Sequence, residues 1–161
     1  MMGQVVFPVP VAARHDQPER DVRRTPGPLV LVVDDEPAMR LLHTVNLEAA
    51  GIMVVAAADG LAAVGLARSE RPDLAIVDVS LPGMDGFQFA EELQRDAVTS
   101  EIALLFVSGA TGAANEARAH GLGAVGYVTK PFDPVALTAL VLDALAEQGE
   151  RVASRRGAWA A

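Results

Sequence analysis

The stretch LVLVVDDEPAMR, Leu29–Arg40, decides how the rest of the chain is read. It opens on a continuous apolar run, the pattern of a strand buried on both faces within a parallel sheet. That run delivers two adjacent carboxylates, Asp34 and Asp35, to one point, although like charges repel. A chain that keeps such a repulsion has a use for it. Beyond the acids, Pro37 suits a first helical turn, Leu41, Leu42, Val45 and Ala49 recur at helical spacing, and Gly51 follows as a stop. The stretch therefore predicts one strand and one helix.

The alternation then repeats along the chain. IMVVAAA (52–58) precedes a helix over 60–69, and DLAIVDV (73–79) precedes, after a loop, a helix over 87–95. IALLFVS (102–108) leads to a helix over 113–120, and AVGYVT (124–129) to one over 134–148. In that last helix Leu137, Leu140, Val141, Ala144 and Leu145 share a face. Strict strand–helix alternation predicts a doubly wound α/β fold, a five-stranded parallel sheet with helices on both faces, because each parallel neighbour needs a right-handed crossover. Ligands in such sheets bind beyond the C-terminal strand ends. Those ends carry Asp34 and Asp35, Asp59, Asp78, Ser108 and Lys130.

Composition narrows the function classes. With 161 residues, 51% of them hydrophobic but only 4% aromatic, the chain suits one domain with a core of Ala, Val and Leu. The absence of cysteine excludes disulfides, zinc–thiolate sites and thiol chemistry. No apolar stretch reaches the roughly 20 residues that cross a bilayer, so no membrane association and a cytoplasmic location are expected. The formal charge of −8 is uneven: residues 29–148 hold 17 acidic and 6 basic residues, a net −11, which repels phosphate backbones and argues against DNA. Residues 1–28, with five prolines and no periodicity, read as a flexible extension, and 149–161, with three Arg and the only Trp, Trp159, as a disordered tail. Twelve of the 13 basic residues are Arg, and Lys130 is the only lysine. A compact ammonium kept in an Arg-rich chain marks a place where a point charge has to fit.

Taken singly, each strand-end residue has an ordinary reading: Asp59 as a helix N-cap, Ser108 as a turn residue. Asp78, far from a helix start, is harder to read that way. Three carboxylates converging in one pocket raise one another's pKa unless a cation neutralises them, and an all-oxygen ligand set suits Mg²⁺. Such an ion keeps waters and accepts a phosphate oxygen, which points to phosphoryl chemistry with a carboxylate as nucleophile. The Lys130 ammonium and Ser108 hydroxyl would then face the oxygens of the transferring group.

Four motifs in order, VVDDEP (32–37), IVDVSLPGMDG (76–86), FVSGA (106–110) and YVTKPF (127–132), resemble the receiver domain of two-component response regulators across 29–148. The resemblance implies a flavodoxin-like (βα)5 fold with strand order 2-1-3-4-5. It implies that Asp78 takes a phosphoryl group from a phosphohistidine on a sensor histidine kinase or histidine phosphotransfer protein. Asp35, Asp78 and the backbone carbonyl of Ser80 would hold Mg²⁺, with Asp34 acting mainly through a metal-bound water. Lys130 would pair with the phosphoryl oxygens, Ser108 would swing to hydrogen-bond one of them, and Tyr127 would move inward with it as the switch. A cis peptide before Pro131 is also implied, as is room for an attacking water beside Ser80 and Ala110. Such a domain promotes only its own phosphorylation and dephosphorylation and is not otherwise an enzyme. With no output domain after 148, the signal is expected to pass to a downstream target protein, from a monomer or a phosphorylation-dependent homodimer. Two other readings compete: a receiver-like module that binds partners without phosphorylation, and a haloacid-dehalogenase-type phosphatase. The latter would need its nucleophile after the first strand and a second acid two residues on, where Glu36 stands. His15, His43 and His120 do not read as relay histidines.

Overall fold

The structure, a computed structural model, describes residues 27–109 and 112–160, so the expected N-terminal extension up to residue 26 and Ala110 lie outside the described residues. Its elements follow the predicted alternation: β1 (Leu29–Val33), α1 (Pro37–Ala49), β2 (Met53–Ala57), α2 (Gly60–Glu70), β3 (Leu74–Asp78), α3 (Gly86–Arg95), β4 (Ala103–Ser108), α4 (Ala113–Gly121), β5 (Gly126–Thr129) and α5 (Pro134–Ala160). All strand pairs are parallel, in the order β2-β1-β3-β4-β5. The doubly wound five-stranded fold expected from the sequence is the fold observed.

Successive strand side chains face opposite sides of the sheet, so each apolar run feeds two cores. Leu31, Val33 and Val77 join Phe87, Phe89, Leu93 and Phe106 in one. Val30, Val32 and Ile76 join Leu47, Leu137 and Val141 in the other. The two central strands β1 and β3 are buried along their whole length, which is why they read as unbroken apolar runs.

Two expectations need correction. The predicted apolar face of α1 was Leu41, Leu42, Val45 and Ala49, yet Leu41 and Val45 are 52% and 55% exposed and Ala49 is exposed as well. The helix instead buries His43 and Leu47, one turn apart. Counting only aliphatic residues chose a face rotated away from the core, because an imidazole packed as a flat ring fills a core position that hydropathy assigns to solvent. The second correction concerns the C-terminus. α5 runs to Ala160, past the Gln148 end expected for it, so 149–160 continues a helix where disorder was predicted. The segment is rich in Ala and Arg and contains no proline, so nothing in it blocks continuation, and Gly149 and Gly157 each cost only about 1 kcal/mol.

Candidate functional site

Because β1 and β3 are parallel neighbours with Val33 opposite Val77, the acids that end the two strands arrive side by side. One carboxylate oxygen from each of Asp34, Asp35 and Asp78 lies within 4.8 Å of the others. Asp34 and Asp78 are only 2% and 5% exposed, while Asp35 opens to solvent. Each buried carboxylate is oriented by the amide two residues on: Asp34 Oδ1 accepts from Glu36 N–H and Asp78 Oδ1 from Ser80 N–H, both at 2.9 Å. That leaves the second oxygen of each facing the far side of the pocket, where the Lys130 Nζ lies 3.1 Å from Asp78 Oδ2 and 3.6 Å from Asp34 Oδ2.

The charges do not balance. Burial pushes the Asp34 pKa up, the Glu36 amide pulls it back, and the neighbouring Asp78 charge works against Lys130, leaving it above the usual carboxylate value. For Lys130 burial acts to lower the pKa, but the hydrogen bond that its ammonium donates to Asp78 and the charge of Asp34 outweigh it and hold the ammonium above its ordinary value. One ammonium thus faces two buried carboxylates with a third, Asp35, beside them, and the clustered acids offer a cation oxygen ligands. A hard cation that prefers oxygen ligands fits this donor set.

The surrounding chain holds these groups in place. Gly86 presses against the end of β3 so closely that a Cβ there would lie 2.5 Å from the Asp78 carbonyl oxygen and 2.8 Å from Val79 Cα. Pro82 and Gly83 make the preceding turn, Gly83 with φ +76°, a conformation that favours glycine. Asp85 and Gln88 then form a reciprocal capping box that starts α3. On α1, Arg40 Nη1 donates to the Asp34 carbonyl at 2.8 Å. At the other end of the site the Lys130 amide donates to the Ser108 carbonyl at 2.8 Å, and the Lys130–Pro131 peptide is cis.

The sequence-predicted residues therefore divide. Asp34, Asp35, Asp78 and Lys130 come together at atomic distance. Ser108 lies fully buried at the end of β4, beside Thr129, and its backbone is what touches Lys130. Tyr127 lies in β5 opposite Phe106, half-buried against the first core rather than among the carboxylates. Asp59 stays apart: it caps α2, accepting from Ala62 N–H at 2.8 Å. Sequence reasoning gave no role to Arg40 or Gly86 and set His43 aside as no relay histidine. The Gly after Met84-Asp85 was quoted within a motif without its packing role, and neither Arg40 nor His43 shows in sequence what it contacts.

A family model described as response regulator receiver domain matches residues 30–142. Protein PilH of Pseudomonas aeruginosa is 38% identical over 104 residues, which cover 65% of this chain and 86% of PilH. The DNA-binding dual master transcriptional regulator RpaA of Synechocystis sp. is 39% identical over 106 residues, covering 66% of this chain but 44% of RpaA, so the chain spans under half of that relative. Among solved structures, a CheY-like response regulator receiver domain protein of Methanospirillum hungatei superposes with a TM-score of 0.73 at 26% identity, over 78% of this chain and 98% of that one. Chemotaxis protein CheY4 of Vibrio cholerae does so with a TM-score of 0.66 at 30% identity, over 75% and 98%. Among the described residues, no helix is long and apolar enough to cross a membrane.

Proposed function

Because the chain belongs to the response regulator receiver domain family of two-component signalling, we propose that Asp78 is its phosphoacceptor. The donor is a phosphohistidine on a sensor histidine kinase or histidine phosphotransfer protein. An Asp78 carboxylate oxygen attacks the phosphorus, the P–N bond breaks, and its electron pair leaves with the donor imidazole, which takes up a proton. The product is an acyl phosphate on Asp78.

Lys130 is already within 3.1 Å of Asp78, so its ammonium meets the negative phosphoryl oxygens without first travelling to them. Asp35, Asp78 and the Ser80 carbonyl would hold Mg²⁺, with Asp34 acting mainly through a bound water; the ion supplies further positive charge against those oxygens when bound. The Ser108 hydroxyl then turns to hydrogen-bond one phosphoryl oxygen, and Tyr127 moves with it. This changes the surface around α4, β5 and α5 that a downstream protein reads. The receiver unit is 29–148, and it works as a monomer or pairs on phosphorylation. The domain turns over only its own phosphoryl group.

The observation that carries this reading is the placement of the chain's one lysine across two buried carboxylates. Incubation with Mg²⁺ and phosphoramidate, an N-phosphoryl donor like phosphohistidine, is expected to add one hydroxylamine-labile phosphoryl group by intact mass, and Asp78→Asn to add none. Labelling that persists in Asp78→Asn would assign the nucleophile elsewhere. No labelling from phosphoramidate or from any kinase would support a module that binds partners without phosphorylation.

A further inference from the structure

Lys130 hangs from a short turn between β5 and α5, and its reach to Asp78 depends on where that turn sits. One side of the turn is held by the hydrogen bond from the Lys130 amide to the Ser108 carbonyl at 2.8 Å. The other side carries Phe132, two residues on, whose ring lies parallel to the His43 ring of α1, with centroids 5.4 Å apart and planes 10° from each other. His43 is itself buried and anchored one turn from Leu47, in the core layer that Phe132 packs against. The same helix sends Arg40 to the Asp34 carbonyl. α1 thus touches both halves of the site: β1's acid through Arg40, and the lysine turn through His43.

We infer that His43 is a positioning residue for the phosphoryl-transfer site: its flat ring, stacked on Phe132, sets the height of the turn from which Lys130 reaches Asp78 and Asp34. Aliphatic packing at position 43 would bury as much surface without defining the plane of Phe132, because stacked rings have a preferred offset and orientation. Burial, then the Lys130 charge, push the His43 pKa down to about 4 while Asp78 pulls it up, so at neutral pH the ring stacks uncharged beside the ammonium. A misplacement of about 1 Å in a reacting group can cost up to about 100-fold in rate, so a loosened turn is expected to matter.

This inference rests on the assignment of Asp78 as phosphoacceptor only for its effect on rate, and a second readout keeps the two apart. Lys130 is the single lysine, so isotope-labelled lysine yields one set of side-chain signals in the full chain. In the wild type the two Hε protons are expected to be inequivalent, as in a held ammonium. His43→Ala is expected to merge them towards free-lysine values and to slow phosphorylation by phosphoramidate about tenfold at saturating donor. His43→Phe should restore both, and His43→Leu neither. The Mg²⁺ affinity measured by calorimetry should stay unchanged in His43→Ala, since the carboxylates do not ride on the turn. The inference is overturned if the wild-type Hε protons are already averaged, if His43→Ala leaves them unchanged, or if His43→Leu restores them as fully as His43→Phe. If the wild type accepts no phosphoryl group while the lysine signals follow the expected pattern, the phosphoacceptor assignment fails and the positioning role stands.

Discussion

The middle of the sheet and its β5 edge are built to different standards. β1 and β3 are buried at every residue and end in the acids of the site. β5 is half-buried at every residue, and α4 beside it buries only Ala119. The carboxylates are mounted on the two strands buried at every residue, whereas Tyr127 lies in, and Lys130 directly follows, the one described strand that has no fully buried residue. Low local burial lowers the cost of local rearrangement. The division suits a domain that keeps its acceptor still and lets its edge report.

The most severe way to probe this contrast is to remove equal chemistry from the two regions. Val32→Ala in β1 is expected to cost about 2.5 kcal/mol by urea unfolding, since a fully buried side chain leaves a cavity. Val128→Ala in β5 should cost about 1 kcal/mol, half the transfer value of the two methyl groups lost. Equal costs would erase the distinction.

Acid tests the helix that joins the regions. His43 has its pKa lowered from 6.5 to about 4, by burial first and then by Lys130, against a smaller upward pull from Asp78. The fold therefore favours the neutral ring: its contribution is fully present above the unfolded pKa and is lost as pH falls from 6.5 through 4. At pH 5 the loss amounts to about 2 kcal/mol relative to pH 8. His43→Leu should remove this share of the acid destabilisation, read as the difference between the two pH–stability curves.

A smaller effect, of informative sign, lies at the centre. Asp34 is held above the usual carboxylate pKa, chiefly by burial, so its ionised form opposes folding at neutral pH. Without divalent ions Asp34→Asn is expected to raise the melting temperature by about 3 °C. With Mg²⁺ the wild type should gain more than the variant, narrowing or reversing the gap. The smallest effect belongs to the edge: Arg118, which pairs with Glu91 at 3.2 Å and lies 4.6 Å from the Phe87 ring centroid, is exposed. Arg118→Ala should cost about 0.5 kcal/mol.

The fold was legible because buried parallel strands leave long apolar runs and the turns between them are short. The site was legible for a related reason: strand ends in such a sheet converge, so Asp34, Asp78 and Lys130 could be brought together from their places in the sequence. What was not legible depended on packing at right angles to the chain. His43 was read only as no relay histidine, because its partner, Phe132, is remote in sequence, and the α1 face it belongs to was missed because the helix was placed by its aliphatic residues. Gly86 is required by a 2.5 Å approach to the Asp78 carbonyl that no local pattern announces. The extension of α5 to Ala160 escaped because the apolar face that marks the helix, Leu137 to Leu145, ends before it.

The central claim is that Asp78, and no other acid of the cluster, receives the phosphoryl group. Its most direct measurement is borohydride reduction of the protein after reaction with phosphoramidate and Mg²⁺, which converts a phosphorylated aspartate to homoserine, followed by peptide sequencing by mass spectrometry. Homoserine at position 78 alone is the predicted result. Homoserine at Asp34, Asp35 or Asp59, or its absence from a protein that carries label, would contradict it.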